Sequence, residues 1–236
     1  MKKLDHVFEV IATTVNDAVI AAQHGADRIE LITAIGEGGL TPSLGLIEEV
    51  VRAVSIPVNV MLRPHSRTFI YNAEDLRTML ADVRYIRDTG ANALVFGALT
   101  PQRLVDTASL ERVLEAAEGL PMTFHRAIDE ARSVHEAIET LLHYPQITTV
   151  LTSGGKPSAL EGETDIATMV RRTEQTQLAV LAGSGLSLES MSTFIAATSV
   201  QQVHVGSAVR VNGNPLAPID AARMQKLNEV VRQAWA

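Results

Sequence analysis

A (β/α)8 TIM barrel, an α/β fold in one domain over residues 1–236, is the fold class this sequence predicts. Three observations carry it. Eight short apolar runs alternate with eight stretches of helical spacing, and no proline-rich or serine-rich linker interrupts the count. The pairs recur about every 30 residues, the length of a compact βα repeat. The runs are short and apolar, as strands are when both faces of a parallel sheet are covered. An open doubly wound sheet is the alternative, but eight regular units favour closure.

The elements follow in order. Residues 7–11 form an apolar run broken only by Glu9, and 15–24 has helical spacing that stops at Gly25, a residue suited to closing a helix. Residues 27–32 repeat the strand, and Thr41-Pro42-Ser43 opens a helix to about 53, with Ser43 as its N-cap. The third pair is 56–62 with 73–89, closed by Gly90; the fourth is 92–96 with 107–118; the fifth is 122–125 with 134–143. Strand six is 148–151, with a helix near 164–176; the seventh pair is 178–182 with 188–197, and the eighth is 202–205 with 219–235.

A formal charge of -7 gives no basic stripe for nucleic acid or an anionic membrane surface. Cysteine is absent, which excludes disulfides and thiolate metal sites and suits a reducing cytoplasm. After Met1-Lys2-Lys3, the residues Asp5, His6 and Glu9 interrupt the apolar stretch that a signal peptide needs. Nothing approaches the roughly 18 consecutive apolar residues of a membrane span. A cytoplasmic protein without nucleic-acid or membrane partners is expected.

Strands six, seven and eight each end in a small-residue turn: Thr152-Ser153-Gly154-Gly155, Gly183-Ser184-Gly185 and Gly206-Ser207-Ala208. Glycine and serine let the backbone present N–H groups, and each turn is expected to lead into a helix start, where the dipole favours an anion. Barrels hold phosphate beyond their last strands in this way. Thr152, Ser153, Gly154, Gly155, Gly183, Ser184, Gly185, Gly206 and Ser207 are therefore candidate anion-binding residues, although a plain βα loop uses the same residue types.

A barrel puts its chemistry at the C-terminal strand ends. Glu9 lies in the first strand, Arg28 and Glu30 in the second, Arg63 at the end of the third, His125 and Arg126 at the end of the fifth, and His204 in the eighth. Alternation places Arg28 and Glu30 on one face. If that face points inward, Arg28 sits below Glu30 and can reach Glu9. A buried ion network that fixes register is the plain reading of that pair. Glu9, Glu30 and His125 are the candidate acids and bases. Arg28, Arg63 and Arg126 are candidates to bind carboxylate or phosphate through their planar forks. His204 is a weaker candidate that could simply brace its strand. Lys156 offers a charge to an anion or to solvent, since Schiff-base chemistry would need it desolvated.

Several of these stretches together resemble one family. Phe8-Glu9-Val10, Asp27-Arg28-Ile29-Glu30, Glu37-Gly38-Gly39-Leu40-Thr41-Pro42-Ser43, Arg63-Pro64, Val95-Phe96-Gly97-Ala98-Leu99-Thr100, Thr123-Phe124-His125-Arg126-Ala127 and Leu151-Thr152-Ser153-Gly154-Gly155-Lys156 are similar to motifs of the CutC copper homeostasis family. The resemblance covers nearly the whole chain. It implies a TIM barrel, a cytoplasmic location and a role in copper handling, with copper binding in some members. Relatives carry cysteine where this chain has Ile11, Ile32, Ile70 and Ala131. Cu(I) prefers thiolate or thioether ligands, so copper, if bound, would use histidine and methionine, with Met61 and Met122 in strands. Its ligands stay unassigned.

Two functions compete. The resemblance implies copper handling or copper binding. The strand-end residues point instead to an enzyme, a lyase or isomerase, acting on a small phosphorylated or carboxylated molecule by general acid/base chemistry. A divalent metal on Glu9, Glu30 and His125 is a variant, opposed by the charge of Arg28. A regulatory barrel that binds a metabolite without turnover is a third reading. Apolar outer helices such as 219–235 could pack on the barrel or on a second subunit, and a homo-oligomer is expected.

Overall fold

The computed structural model describes residues 6–236, so Met1-Lys2-Lys3 and Asp5, weighed above as a leader, lie outside the described residues. Eight parallel strands close into one barrel in chain order. They are β1 (Val7–Ala12), β2 (Arg28–Leu31), β3 (Val58–Met61), β4 (Ala93–Phe96), β5 (Met122–Phe124), β6 (Ile147–Thr152), β7 (Ala179–Gly183) and β8 (Gln202–Val205). The helices between and after them are α1 (Val15–Gln23), α2 (Leu44–Ala53), α3 (Ala73–Arg87), α4 (Thr107–Ala117), α5 (Val134–Leu141), α6 (Glu163–Thr173), α7 (Met191–Thr198) and α8 (Ala221–Trp235). Among the described residues no helix is long and apolar enough to cross a membrane.

Local chemistry sets the helix starts. Ser43 Oγ accepts from Leu46 N–H to cap α2. Asn72 and Asp75 satisfy each other's backbone N–H groups at the start of α3. Asp220 accepts from the Ala222 and Arg223 N–H groups, which starts α8 two residues later than its hydrophobic pattern predicts. The small-residue turns, in contrast, do not open helices. A loop separates the turn after β6 from α6, and α7 begins only at Met191. The turn after β8 enters a short 3-10 segment, Ser207–Val209. The expectation that each turn leads straight into a helix is corrected here, because α6 and α7 have their own starts further along the chain.

Strand alternation sorts the side chains. Phe8, Val10, Ile29, Leu31, Val60, Leu94 and Phe96 are fully buried in the layer between sheet and helices. The opposite parity fills the lumen. There, Glu9 stands beside Arg28 on one side and His204 on the other. A small apolar group of Ile32, Met61 and Val95, with Ile11 and Ile35 against it, lies apart from the main core. Barrel interiors are usually filled with branched apolar residues. Charges placed there instead must find partners or have a use.

Candidate functional site

Glu9 is the most heavily partnered group of the lumen. One carboxylate oxygen accepts from Arg28 Nε, and the other lies 2.7 Å from His204 Nδ1. Arg28 also donates to Gln202 Oε1 at 3.3 Å. Burial pushes the Glu9 carboxyl up, but Arg28 and His204 outweigh it and hold its pKa down to about 2. The expectation that Arg28 reaches Glu9 from the neighbouring strand holds. Glu9 is thereby a fixed anion with both oxygens engaged, poorly placed to exchange a proton. Burial likewise works against the charge of His204, yet Glu30 and Glu9 hold its pKa above the ordinary value. The imidazole is braced between the carboxyl groups of Glu9 and Glu30.

Glu30 sits one step nearer the open end. His204 Nε2 lies 3.7 Å from its Oε2, and its Oε1 is buried with no hydrogen-bond partner. Burial and the neighbouring Glu9 push its pKa up to about 7, against the pull of His204 and Arg28. A carboxyl with one free oxygen and a near-neutral pKa is suited to taking and returning a proton.

Across the barrel, Arg63 forms no ion pair with a carboxylate among the described residues. Its Nη1 donates to the Glu37 and Gly39 carbonyls at 3.2 Å, and its Nη2 to the Ser66 carbonyl at 3.3 Å. Nε is buried without a partner, and the guanidinium lies 4.5 Å over the Phe69 ring. That ring in turn sits 4.9 Å from the His125 ring. His125 Nδ1 accepts from Ala127 N–H at 3.2 Å, which assigns the ring proton to Nε2, and Nε2 has no partner. Burial, Arg63 and Arg126 push the His125 pKa down to about 3. His125 is a neutral hydrogen-bond donor. Gly97 leaves the space for this ring, since a Cβ there would come within 2.6 Å of Nδ1.

Glu30, Met61, Arg63, Phe69, His125 and His204 line one cavity of ≈ 500 Å³ at the mouth. Ser184, Gly185, Gly206 and Ser207 form part of its rim. The Gly185 and Ser207 N–H groups donate no hydrogen bond to another described residue. Gly183 has a steric task, because a Cβ there would approach Leu151 and His204 within 3.0 Å. Ser184 Oγ donates to the Pro157 carbonyl.

The turn after β6 does hold an anion, but one that the chain supplies. Asp129, in the 3-10 segment Arg126–Glu130, accepts from Thr152 Oγ1 at 2.6 Å and from the Ser153 and Gly155 N–H groups at 3.0 Å. Its other oxygen takes Arg126 Nε and Ser153 Oγ, each at 2.9 Å. Gly154 N–H donates back to Thr152 Oγ1, and a Cβ on Gly154 would strike the Gly162 carbonyl at 2.6 Å. Thr152, Ser153 and Gly155 are thus bound to Asp129, and Arg126 is paired with it. Sequence reasoning passed over Asp129, although its place three residues after Arg126 is an ion-pair spacing. It also ranked His204 below His125 as a partner for the acids.

The geometry bears on copper. Glu9, Glu30 and His204 bring ligand atoms within 4.8 Å of one another, so His204 takes the place given to His125 in the divalent-metal reading. Arg28 and His204 already occupy Glu9, and the Arg28 guanidinium borders the group. Cu(I) seeks soft sulfur, and Met61 supplies the only sulfur on the cavity wall among the described residues. These donors do not fit a copper ion.

Fold and site together define a closed (β/α)8 barrel with an ionisable, partly unpartnered mouth. The sequence model of the CutC family matches residues 6–209, and the chain belongs to that family. It is 38% identical over 202 residues to a CutC family protein of Treponema denticola, covering 86% of this chain and 81% of the relative. It is 37% identical to the human copper homeostasis protein cutC homolog, covering 84% and 72%. The crystal structure of CutC from Streptococcus agalactiae superposes with a TM-score of 0.78 at 30% identity, over 84% of this chain and 97% of that one. Phosphoribosyl anthranilate isomerase from Thermotoga maritima shares the fold, with a TM-score of 0.64 at 14% identity over 97% and 99% of the two chains.

Proposed function

We propose that this chain carries the copper-homeostasis role named for its relatives and exercises it through the barrel mouth, as a site for a small anionic molecule. The observation that carries this reading is the convergence of three buried polar atoms without partners, Glu30 Oε1, Arg63 Nε and His125 Nε2, in residues of one cavity. Buried polar atoms are nearly always hydrogen-bonded in folded proteins. A cluster of exceptions in one concave site is what a ligand would satisfy. Arg63, uncompensated by a carboxylate, supports an anion, as do the free Gly185 and Ser207 N–H groups beyond the last strands. The reading takes the chain as one barrel domain at work in the cytoplasm, where the lack of cysteine fits.

The test is thermal shift and calorimetry on the metal-stripped protein with Cu(I) under anaerobic conditions, inorganic phosphate, sugar phosphates and carboxylates. A phosphorylated or carboxylated compound at 100 times its dissociation constant should add about 2.7 kcal/mol, with Cu(I) sub-stoichiometric at most. Stoichiometric Cu(I) binding without any response to anions would overturn the reading. In cells lacking the gene, wild type should restore copper tolerance and Arg63→Gln should not. Full rescue by that variant would disconnect the mouth from the role.

A further inference from the structure

We propose that the mouth catalyses proton transfer at a carbon next to a carbonyl, with Glu30 as the base and His125 Nε2–H as the donor that holds the enolate oxygen. The proposal rests on the anion-site reading above and deepens it. The substrate class is a small α-hydroxy aldehyde or α-hydroxy ketone with a phosphate or carboxylate tail.

The geometry sets two unlike groups on different walls of one cavity, Glu30 from β2 and His125 just after β5. Each presents one polar atom without a partner. The Glu30 carboxyl has His204 Nε2 3.7 Å from its Oε2, and His204 is itself held by Glu9, which Arg28 holds in turn. The His125 ring is fixed on three sides: Ala127 N–H sets its tautomer, Phe69 packs on it, and Gly97 admits it. A rigid, neutral N–H aimed at a forming oxyanion stabilises charge without reorganisation and without surrendering its own proton. A carboxylate base paired with a neutral imidazole donor is an established solution for enolisation. Burial, helped by the charge of Arg63, keeps His125 neutral, and Arg63, packed on the Phe69 ring, can hold the anionic tail.

The step balances without an added reactant. Glu30 Oε1 takes the carbon-bound proton, the C–H pair becomes the C=C bond of the enediolate, and the carbonyl π pair moves to the oxygen held by His125. The hydroxyl proton then passes to that oxygen, and protonated Glu30 returns its proton to the adjacent carbon. Aldose and ketose interchange.

The experiment is proton exchange in D2O on a panel of phosphorylated and carboxylated α-hydroxy aldehydes and ketones, followed by 1H NMR. At least one should acquire deuterium next to its carbonyl, at a rate that rises with pH as Glu30 ionises. Glu30→Gln should lower the rate by about 10²–10⁴-fold and His125→Gln by about 10²–10³-fold. Glu30→Asp keeps the carboxylate and should retain a measurable part. Phosphoglycolate should bind wild type in calorimetry. Anion binding with no exchange anywhere in the panel overturns the reaction and leaves the binding reading standing; no anion binding overturns both. Independently of substrate, 15N NMR at neutral pH should show His125 neutral with its proton on Nε2, and any other form overturns the proposal.

Discussion

Asp129 and Glu30 are both buried carboxylates near the C-terminal ends of strands, and they differ in what their oxygens find. Asp129 meets hydroxyls, backbone N–H groups and a guanidinium on both oxygens. Glu30 has one oxygen 3.7 Å from His204 Nε2 and the other without a hydrogen-bond partner. A saturated polar cluster ties loops together, whereas an unsaturated one is left for a ligand, because a buried polar group without a partner costs stability. The knot around Asp129 is saturated by the chain itself, whereas the mouth around Glu30 leaves polar atoms open to the proposed ligand.

The largest expected effect breaks the knot. Asp129→Ala removes one partner from Arg126, Thr152, Ser153 and Gly155 together, and should cost about 3–5 kcal/mol in denaturant unfolding, as removal of one member of a buried ionic cluster does. Glu30→Gln should leave stability unchanged or raise it, since the neutral amide takes a potential charge out of a buried site. If Asp129→Ala costs under about 1 kcal/mol, the magnitude of an exposed pair, the distinction between the two regions fails.

The arginines sharpen the same contrast at a smaller scale. Arg126 is paired with Asp129 at 2.9 Å, while Arg63 meets carbonyls, an aromatic face and the Tyr71 hydroxyl but no carboxylate among the described residues. Arg63→Gln should weaken binding of the best phosphorylated compound by about 1.5–3 kcal/mol, the range for a hydrogen bond to a charged group. Arg126→Gln should change it far less. Equal losses in calorimetry would mean that the Asp129 pair opens to admit the ligand.

The barrel was legible because each strand and helix announces itself locally, through apolar runs and helical spacing repeated eight times. The Glu9–Arg28 contact was legible too, since alternation along β2 fixes the face of Arg28 and its strand neighbour is β1. What was hidden depends on partners far away in sequence. A turn such as Thr152-Ser153-Gly154-Gly155 advertises free N–H groups in the same way whether a ligand or the chain's own Asp129 will fill them. His204 joins Glu9 only because β8 returns to pair with β1, which no window of sequence displays. The role of His125 turns on its tautomer, set by the N–H of Ala127 as the chain bends into a 3-10 segment.

The smallest effect lies in the pH dependence of folding. Glu30 has a folded pKa of about 7 against 4.5 when exposed, so between those values the folded state holds a proton that the unfolded state has lost. Stability should fall with rising pH on its account. His125 has a folded pKa of about 3 against 6.5, so from 3 to 6.5 the unfolded state holds the extra proton and stability should rise with pH. Between pH 4.5 and 6.5 the two slopes oppose one another. Glu9, whose pKa is held down, contributes chiefly below that window, and His204, whose pKa is held up, chiefly above it. Urea unfolding across that window should therefore show Glu30→Gln with a slope more positive than wild type by on the order of 1 kcal/mol per pH unit, and His125→Gln with one more negative by as much. Surface groups titrate alike in all three proteins and drop out of the difference. Identical slopes in all three proteins would mean that the mouth is hydrated and partnered after all, and the contrast with the knot would be lost.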